Sequence, residues 1–397
     1  MGRREILSAF IDNAGDNYKR IALDVHEHPE VSNHEFYACK RLSEQLSSEG
    51  FSVRVDVAGH RTGFAASYKA QRPGPVLVFL AEYDALEGLG HGCGHNLFGV
   101  TSLLAAAALK QVIDETGGEV RVYGTPGEEG GENGSAKGSF VREGFLRDAD
   151  AALCVHPGAD KHGLTGKSLG CAPVDIEFRG RAAHASGAPE KGINALDALI
   201  QVFNSINALR QHLPGDVRIH GIITRGGDAP NTVPEYAKAK FYLRAATAPG
   251  LDTVYRKVEH IVEGAALATG AKGRMQPYQN RVENTVPTPS FDAVYAKNLA
   301  LLGEEISVSN DKGPFGSTDV GNVSQVVPVI QPHISITDKP VAGHSEEMKA
   351  AARSEKGLNS ILLGAKALSF TALDLLEDND LLRSIQEEHR RLVQEQN

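Results

Sequence analysis

Cysteine is scarce in this chain, with only four in 397 residues. They lie at positions 39, 93, 154 and 171, too few and too scattered for the disulfide framework of a secreted protein. We therefore expect reduced thiols. The first residues also lack the apolar core of a signal peptide. These two absences together favour a cytoplasmic location.

Positive charge is also in short supply. The chain has 41 Lys and Arg against 50 Asp and Glu, a net charge of −9. No basic cluster is present to neutralise phosphates, which argues against nucleic acid as the main partner. No apolar run approaches the length of a membrane span, so we expect no membrane contact. The length and the 41% hydrophobic content predict a soluble protein of about two domains.

The stretch from 81 to 96 carries the clearest chemistry. It follows the apolar run 76–80, which is typical of a buried strand in a parallel sheet, so Asp84 is placed at a strand end. Glycines at 90, 92 and 94 let Cys93 and His95 converge just ahead of a predicted helix. A thiolate and an imidazole suit a borderline-soft metal, and a helix start favours the thiolate form of Cys93.

Two further strand ends carry polar side chains. Glu128 and Glu129 follow the predicted strand 120–123, and His156 follows the strand 151–155. Adjacent carboxylates are costly unless a cation neutralises them or one binds a proton. One of them can therefore bind a metal while the other transfers a proton. Because the carboxyl ends of parallel strands share one edge, these groups should meet Asp84.

A second histidine-rich segment spans 26–34. Pro29 places it in a turn, where capping by Ser32 or Asn33 accounts for its polarity. We predict no metal site there.

The pattern changes from residue 172. The order β-α-β-β-α-β over 172–284 predicts a ferredoxin-like α+β domain inserted into an α/β catalytic domain formed by 1–171 and 285–397. Its polar loops could close over the crevice of the catalytic sheet. One of them holds His184 among Gly and Ala residues, which give a histidine nothing to pack against and so favour a functional role.

These motifs, in this order, resemble the M20 peptidases, the dinuclear metallopeptidase family of aminoacylases and bacterial carboxypeptidases. The Cys-x-His form is similar to the amidohydrolase branch, which includes aminobenzoyl-glutamate hydrolase, auxin-conjugate hydrolases and dipeptidases acting on basic dipeptides. The resemblance covers nearly the whole chain. The matching positions are Asp84, Gly92-Cys-Gly-His95, Glu128-Glu129, His156-Pro157, Gly180-x-x-x-His184 and Gly343-His344.

The resemblance implies a mixed-sheet catalytic domain with an inserted lid and dimerisation domain, which would make the protein a homodimer. It implies two divalent metal ions, with zinc favoured and manganese, cobalt or nickel also compatible. Glu128 would be the general base, Asp84 would orient the cluster, and His184 would stabilise the oxyanion in the partner's site. Asn231 and Arg244 would hold a free substrate carboxylate. The implied metal ligands are Cys93, His95, Glu129, His156 and His344.

Four positions depart from the common pattern or stay open. The branch commonly has Asp-Met-Asp where this chain has Glu82-Tyr-Asp84, and Asp at position 96 where this chain has Asn96. Asn96 favours the basic-dipeptide and aminobenzoyl-glutamate subgroup. Asp319 could line a pocket for a basic side chain or cap a short helix.

The expected activity is hydrolysis of an amide bond in an N-acyl amino acid, an aminobenzoyl-glutamate-like conjugate or a dipeptide. One alternative keeps the metal site but deaminates or dehalogenates a small aromatic or heterocyclic compound. Another is a metal-bound scaffold or sensor without catalysis. The presence of Glu128 together with all five implied ligands argues against that last interpretation.

Overall fold

The computed structural model describes residues 2–307 and 316–396. Their contacts divide the chain into two compact units. Residues 2–167, 285–307 and 319–395 form the first unit, and 168–284, 316–318 and 396 form the second. The insertion predicted from the sequence starts at 172, and the second unit starts at 168.

The elements follow one another in chain order. The chain begins with α1 (Arg3–Glu27), α2 (Phe36–Ser48), β1 (Ser52–Val57), β2 (His60–Lys69), β3 (Val76–Ala81), α3 (His95–Thr116), β4 (Glu119–Gly124), α4 (Ala136–Arg142), β5 (Ala151–Leu153) and β6 (His156–Gly158). The second unit contributes β7 (Gly170–Arg179), α5 (Ala195–Leu209), β8 (Arg218–Arg225), β9 (Tyr236–Ala245), α6 (Ala248–Thr269) and β10 (Lys272–Pro277). The chain ends with α7 (Pro289–Leu301), α8 (Val320–Ser324), β11 (Val329–Ile330), β12 (His333–Ser335), α9 (Glu346–Ala351), α10 (Glu355–Glu377) and α11 (Asn379–Gln396).

The first unit is built on a mixed six-stranded sheet in the order β1-β2-β4-β3-β5-β11. Strands β1, β2 and β4 pair antiparallel, whereas β4, β3, β5 and β11 pair in parallel. The predicted α/β class is therefore confirmed. The apolar β3 is buried at all but its first residue, as expected for a strand covered on both faces. The parallel pairing places the carboxyl ends of β3, β4 and β5 at one edge.

Helix α3 crosses the core of the first unit. A Cβ on Gly364 of α10 would come within 2.9 Å of the Thr101 side chain, so α3 and α10 approach closely. Both helices are long and apolar enough to span a membrane, contrary to the expectation from sequence. Their most apolar windows are 89% and 67% buried inside the protein, because a central core helix needs the same composition as a membrane span.

The second unit has the predicted β-α-β-β-α-β order, with an antiparallel sheet arranged β10-β7-β9-β8. Helices α5 and α6 pack against this sheet and share one apolar core with it. Strand β9 alternates strictly between buried and partly exposed residues, as a strand with one covered face should. Strand β8 forms an edge and leaves Ile222 and Ile223 66% and 44% exposed.

Candidate metal centre

The Cys93 loop is shaped by glycine. Gly94 has a φ of +83° at the start of α3, and a Cβ there would lie 2.9 Å from the Pro157 side chain. Only glycine fits this left-handed, crowded position. The close approach brings Cys93 Sγ to 3.5 Å from His156 Nε2. His95 lies within the helix as its first residue rather than ahead of it.

Asp84 connects two of the predicted ligands. His95 Nδ1 donates to Asp84 Oδ1 at 3.0 Å, and the backbone N–H of Glu129 donates to Asp84 Oδ2 at 2.9 Å. Burial opposes ionisation of Asp84, but the charge and hydrogen bond of His95 outweigh it, so the pKa of Asp84 lies below its usual value. When His95 is neutral, this bond keeps the ring proton on Nδ1, so Nε2 is the atom that can bind a metal.

The two remaining histidines are held in different ways. His156 Nδ1 donates to the Pro157 carbonyl at 2.8 Å, which frees Nε2, and burial lowers the pKa of His156 to about 4. His344 has a φ of +57°, and its backbone N–H donates to the Gly92 carbonyl. This bond brings His344 Nε2 to 3.4 Å from Glu129 Oε2. The strained backbone of a non-glycine residue is typical of functional sites.

The predicted ligands form two groups that share one atom. Cys93, His95 and His156 make one group, and Cys93, Glu129 and His344 make the other, each with its donor atoms within 4.8 Å of one another. His95 Nε2 and Glu129 Oε1 are buried without a hydrogen-bond partner among the described residues. Thiolate, imidazole and carboxylate donors with unsatisfied buried atoms fit divalent metal ions, and Cys93 belongs to both groups.

Glu128 lies beside these groups. Its Oε2 is 3.9 Å from His95 Nε2, and its side chain is only 12% exposed. Burial, followed by the charges of Glu82 and Glu129, raises the pKa of Glu128 well above its usual value. Of the two adjacent glutamates, Glu129 is the one that faces His344, which leaves Glu128 available for proton transfer.

Without a metal ion, the protein does not favour the thiolate form of Cys93 that the sequence predicts. Burial raises the pKa of Cys93 to about 12, although His95 acts in the opposite direction. Desolvation therefore outweighs the favourable effect of the helix start. A cation at the site is what would make the thiolate favourable here.

Asp319 caps a short helix, as one of the two interpretations from the sequence has it, but the helix is α4 and not the one that it precedes. It is fully buried at the start of α8, and its side chain caps no N–H of α8. Its Oδ1 lies 2.6 Å from Lys137 Nζ, and its Oδ2 accepts from the Lys137 backbone N–H. Since an internal lysine already occupies Asp319, a basic substrate side chain cannot use it. Lys137 also contacts Glu82, at 2.7 Å.

Sequence reasoning missed Lys137 and Glu35. Glu35 is buried and accepts hydrogen bonds from the Thr62 hydroxyl and from the backbone N–H of Gly127, next to the glutamate pair. Burial and the charge of Asp84 raise the pKa of Glu35 to about 8. Neither residue belongs to a recognisable motif, so nothing in the sequence marked them.

The 26–34 segment is held by other contacts than those predicted. His26 Nε2 bonds the Lys349 carbonyl, and His28 stacks on Tyr37 at a centroid distance of 4.1 Å. The expected capping by Ser32 or Asn33 is wrong, because Glu35 is the N-cap residue of α2. Asn33 instead donates to backbone carbonyls of the 132–133 loop.

A cavity of about 670 Å³ adjoins the centre within the first unit. Glu129 lines it together with Glu87, Glu132 and residues 31–34. It is large enough for a small-molecule substrate.

The second unit carries the other predicted residues. His184 is exposed, and the backbone N–H groups of Ser186 and Gly187 donate to its Nδ1 at 3.3 and 3.0 Å. The ring proton therefore lies on Nε2, where it is available to an acceptor. Asn231 lies beside this loop, since its carbonyl accepts from the Ala185 N–H.

Arg244 lies elsewhere in the second unit. It pairs with Arg218 at the open end of the β8/β9 hairpin, whereas Asn231 lies in the connection at the other end. The guanidinium donates to Ser317 Oγ at 2.6 Å and to His220 Nε2 at 3.3 Å. At roughly 3.3 Å per strand residue, Asn231 and Arg244 of one chain are more than about 25 Å apart.

Comparison with known proteins gives matches over the whole chain. The peptidase dimerisation domain of the M20 family matches residues 168–269. The mouse (Mus musculus) Xaa-Arg dipeptidase is 32% identical over 97% of this chain and 92% of its own. One of the two p-aminobenzoyl-glutamate hydrolase subunits of Escherichia coli K12 is also 32% identical, over 98% of this chain and 95% of its own.

A solved structure shows the same fold. The Bacillus subtilis YXEP protein, a dinuclear metal binding peptidase of the M20 family, superposes with a TM-score of 0.62 at 20% identity. The match covers 91% of this chain and 99% of that one. With two relatives above 30% identity over nearly the full length, the chain belongs to the M20 peptidase family, in its amidohydrolase branch.

Proposed function

We propose that this protein is a dimeric metal-dependent amidohydrolase that cleaves dipeptides or N-acyl amino acids. The observation that carries the proposal is the pair of ligand groups that share Cys93, with Glu128 beside them. The named relatives cleave amide bonds next to amino acids, which agrees with this chemistry. Zinc is favoured, and manganese, cobalt or nickel also suits the donors.

Glu128 is the proton-transfer group in this proposal. When bound, the paired ions would polarise the substrate carbonyl and acidify a water molecule. Glu128 would take the proton of that water and deliver it to the leaving nitrogen. Asp84 accepts hydrogen bonds from both His95 and the Glu129 backbone, so it fixes the position of the two ligand groups relative to each other.

His184 would stabilise the oxyanion of the tetrahedral intermediate through its Nε2–H. Because Asn231 lies beside His184 but far along the hairpin from Arg244, one chain cannot offer all three to one small substrate. We infer that Arg244 and the His184 loop act on a given substrate from different protomers. The exposed edge strand β8, with Ile222 and Ile223, supports pairing between two copies.

The cavity beside Glu129 suggests which amides are preferred. Glu87 and Glu132 are exposed and line it, so it attracts positive charge. We expect dipeptides with a basic residue to be better substrates than aminobenzoyl-glutamate, which brings an additional carboxylate.

The test is release of free amino acid from basic dipeptides, N-acyl amino acids and aminobenzoyl-glutamate. The metal-stripped protein should be inactive, and restoring zinc or manganese should restore cleavage. Metal-dependent cleavage of any member supports the proposal. Silence on the whole panel by protein with metal shown to be bound would contradict it.

A further inference from the structure

A group of three fully buried charges lies behind the metal centre: Glu82, Lys137 and Asp319. Lys137 Nζ is 2.6 Å from Asp319 Oδ1 and 2.7 Å from Glu82 Oε1. All three side chains have a relative exposure of 0%. A buried charge survives only where opposite charges and hydrogen bonds compensate its lost hydration. Here one lysine compensates two carboxylates and links them.

Lys137 is fixed in this position. Burial lowers the pKa of Lys137, but the charges of Asp319 and Glu82 outweigh it and raise the pKa above its usual value. Asp319 also accepts from the Lys137 backbone N–H, so the lysine is held at two points. The ammonium group in turn fixes the direction of the Glu82 carboxylate.

The second oxygen of Glu82 faces the metal centre. Glu82 Oε2 lies 3.2 Å from His95 Nε2, the ring atom that Asp84 leaves free. Within the described part of the chain, neither atom has a hydrogen bond of good geometry. In the neutral imidazole both atoms present lone pairs to each other, which is unfavourable without a positive charge shared between them.

We propose that Glu82 is a further ligand to the metal ion that His95 binds, with Lys137 and Asp319 as the positioning residues that aim its carboxylate. This rests on the proposed function, which requires metal at the Cys93 centre. Glu82, His95 and Glu128 have donor atoms within 4.8 Å of one another, and the 3.2 Å between Glu82 Oε2 and His95 Nε2 is short enough for both atoms to bind one ion. Ligating carboxylates are usually held by a second group, as Lys137 holds Glu82.

The experiment compares cobalt and zinc binding by the full-length wild type and the Glu82→Gln variant, using competition with a chelator and the visible spectrum of bound cobalt. The amide keeps an acceptor for Lys137 but removes the anionic oxygen facing His95. We expect at least 10-fold weaker binding of one of the two ions and an altered cobalt spectrum. The matched control is Asp292→Asn, another buried carboxylate, whose side chain accepts from Thr165 and should leave both readings unchanged.

A second variant separates positioning from folding. Lys137→Met with Asp319→Asn removes one charge of each sign, so the net charge of the buried group stays the same while Glu82 loses its counter-charge. We expect this double variant to unfold cooperatively without metal, which shows that it is folded. It should also bind more weakly the same ion that Glu82→Gln binds weakly. If either folded variant keeps the wild-type metal affinity and cobalt spectrum, the inference is wrong. The short contact between Glu82 and His95 would then be explained by a shared proton. Failure of the wild type to bind metal would instead overturn the proposed function.

Discussion

The two units of the chain bury charge very differently. The first unit buries charged or titratable side chains behind the carboxyl ends of its strands, and these are Glu82, Asp84, His95, Lys137 and Asp319. Among the described residues of the second unit, the buried charge is Asp175, whose carboxylate pairs with Lys238 and Lys240 nearer the surface. The core of the second unit is otherwise apolar or uncharged.

In the proposed function, this difference assigns metal binding and proton transfer to the first unit. Burying charge costs free energy, so a fold retains it where it positions reactive groups. The first unit buries charge around the candidate centre, whereas the second unit has an apolar core and an exposed edge strand. Changes in the first unit should alter proton transfer and metal binding, and changes in the second should act through His184 or through association.

The largest effect is expected for Glu128→Gln in the first unit. Loss of the proton-transfer group should lower kcat by about 100- to 10,000-fold, with metal content unchanged. Steady-state kinetics with elemental analysis measures both, and Glu143→Gln, an exposed carboxylate in the same unit, serves as the control. Retained turnover would remove Glu128 from the base role.

The next effect tests whether the second unit takes part in catalysis. His184→Ala should lower kcat by about 100- to 1,000-fold without loss of metal, because it removes one oxyanion donor. His212→Ala, an exposed histidine of the same unit, should be fully active.

Mixing His184→Ala with Glu128→Gln then assigns the protomer. If His184 acts in the partner's site, mixed dimers contain one complete site and activity returns after subunit exchange. If mixing restores nothing while exchange is demonstrated, the histidine serves its own chain.

Dimer formation should depend on the exposed edge strand β8 of the second unit. Ile222→Lys places a charge on β8 and should weaken the dimer by about 10- to 100-fold, the cost of leaving one isoleucine unburied. Sedimentation at several concentrations measures this. Leu267→Lys is the matched control, since Leu267 is 85% exposed on α6, away from the sheet edge. Unchanged association of the Ile222 variant would place the interface elsewhere.

The smallest effect concerns the cost of buried charge in the first unit. The pKa of Glu35 is raised from its usual value of 4.5 to about 8. At a pH between these two values, the native state holds a proton that the unfolded state has lost. Stability therefore falls as pH rises through this window. From pH 7 to 9, Glu35→Gln should gain roughly 1 kcal/mol in free energy of unfolding relative to wild type.

Denaturant unfolding in the presence of a chelator measures this difference without a contribution from metal. Glu44→Gln, exposed on α2, is the control. A difference between Glu35→Gln and wild type that does not change with pH would mean that Glu35 is ionised in the fold throughout.

The sequence by itself determined the elements and the ligand types. Alternating glycines around Cys93 and His95, polar residues after apolar strands, and the β-α-β-β-α-β order are local patterns, because turn geometry and burial periodicity act over a few residues. They predicted an α/β sheet with Asp84, the glutamate pair and His156 at one edge, and the inserted unit. The mixed sheet and the full ligand set were implied by the family resemblance.

Only the tertiary structure decided which atoms meet and in which protonation state. The Gly92 carbonyl receives the His344 N–H, Asp84 fixes the tautomer of His95, and Lys137 meets Asp319 from far along the chain. Burial raises the pKa of Cys93, where the local helix start alone predicted the opposite. Desolvation and contacts between distant residues exist only in the folded chain, so no local pattern records them.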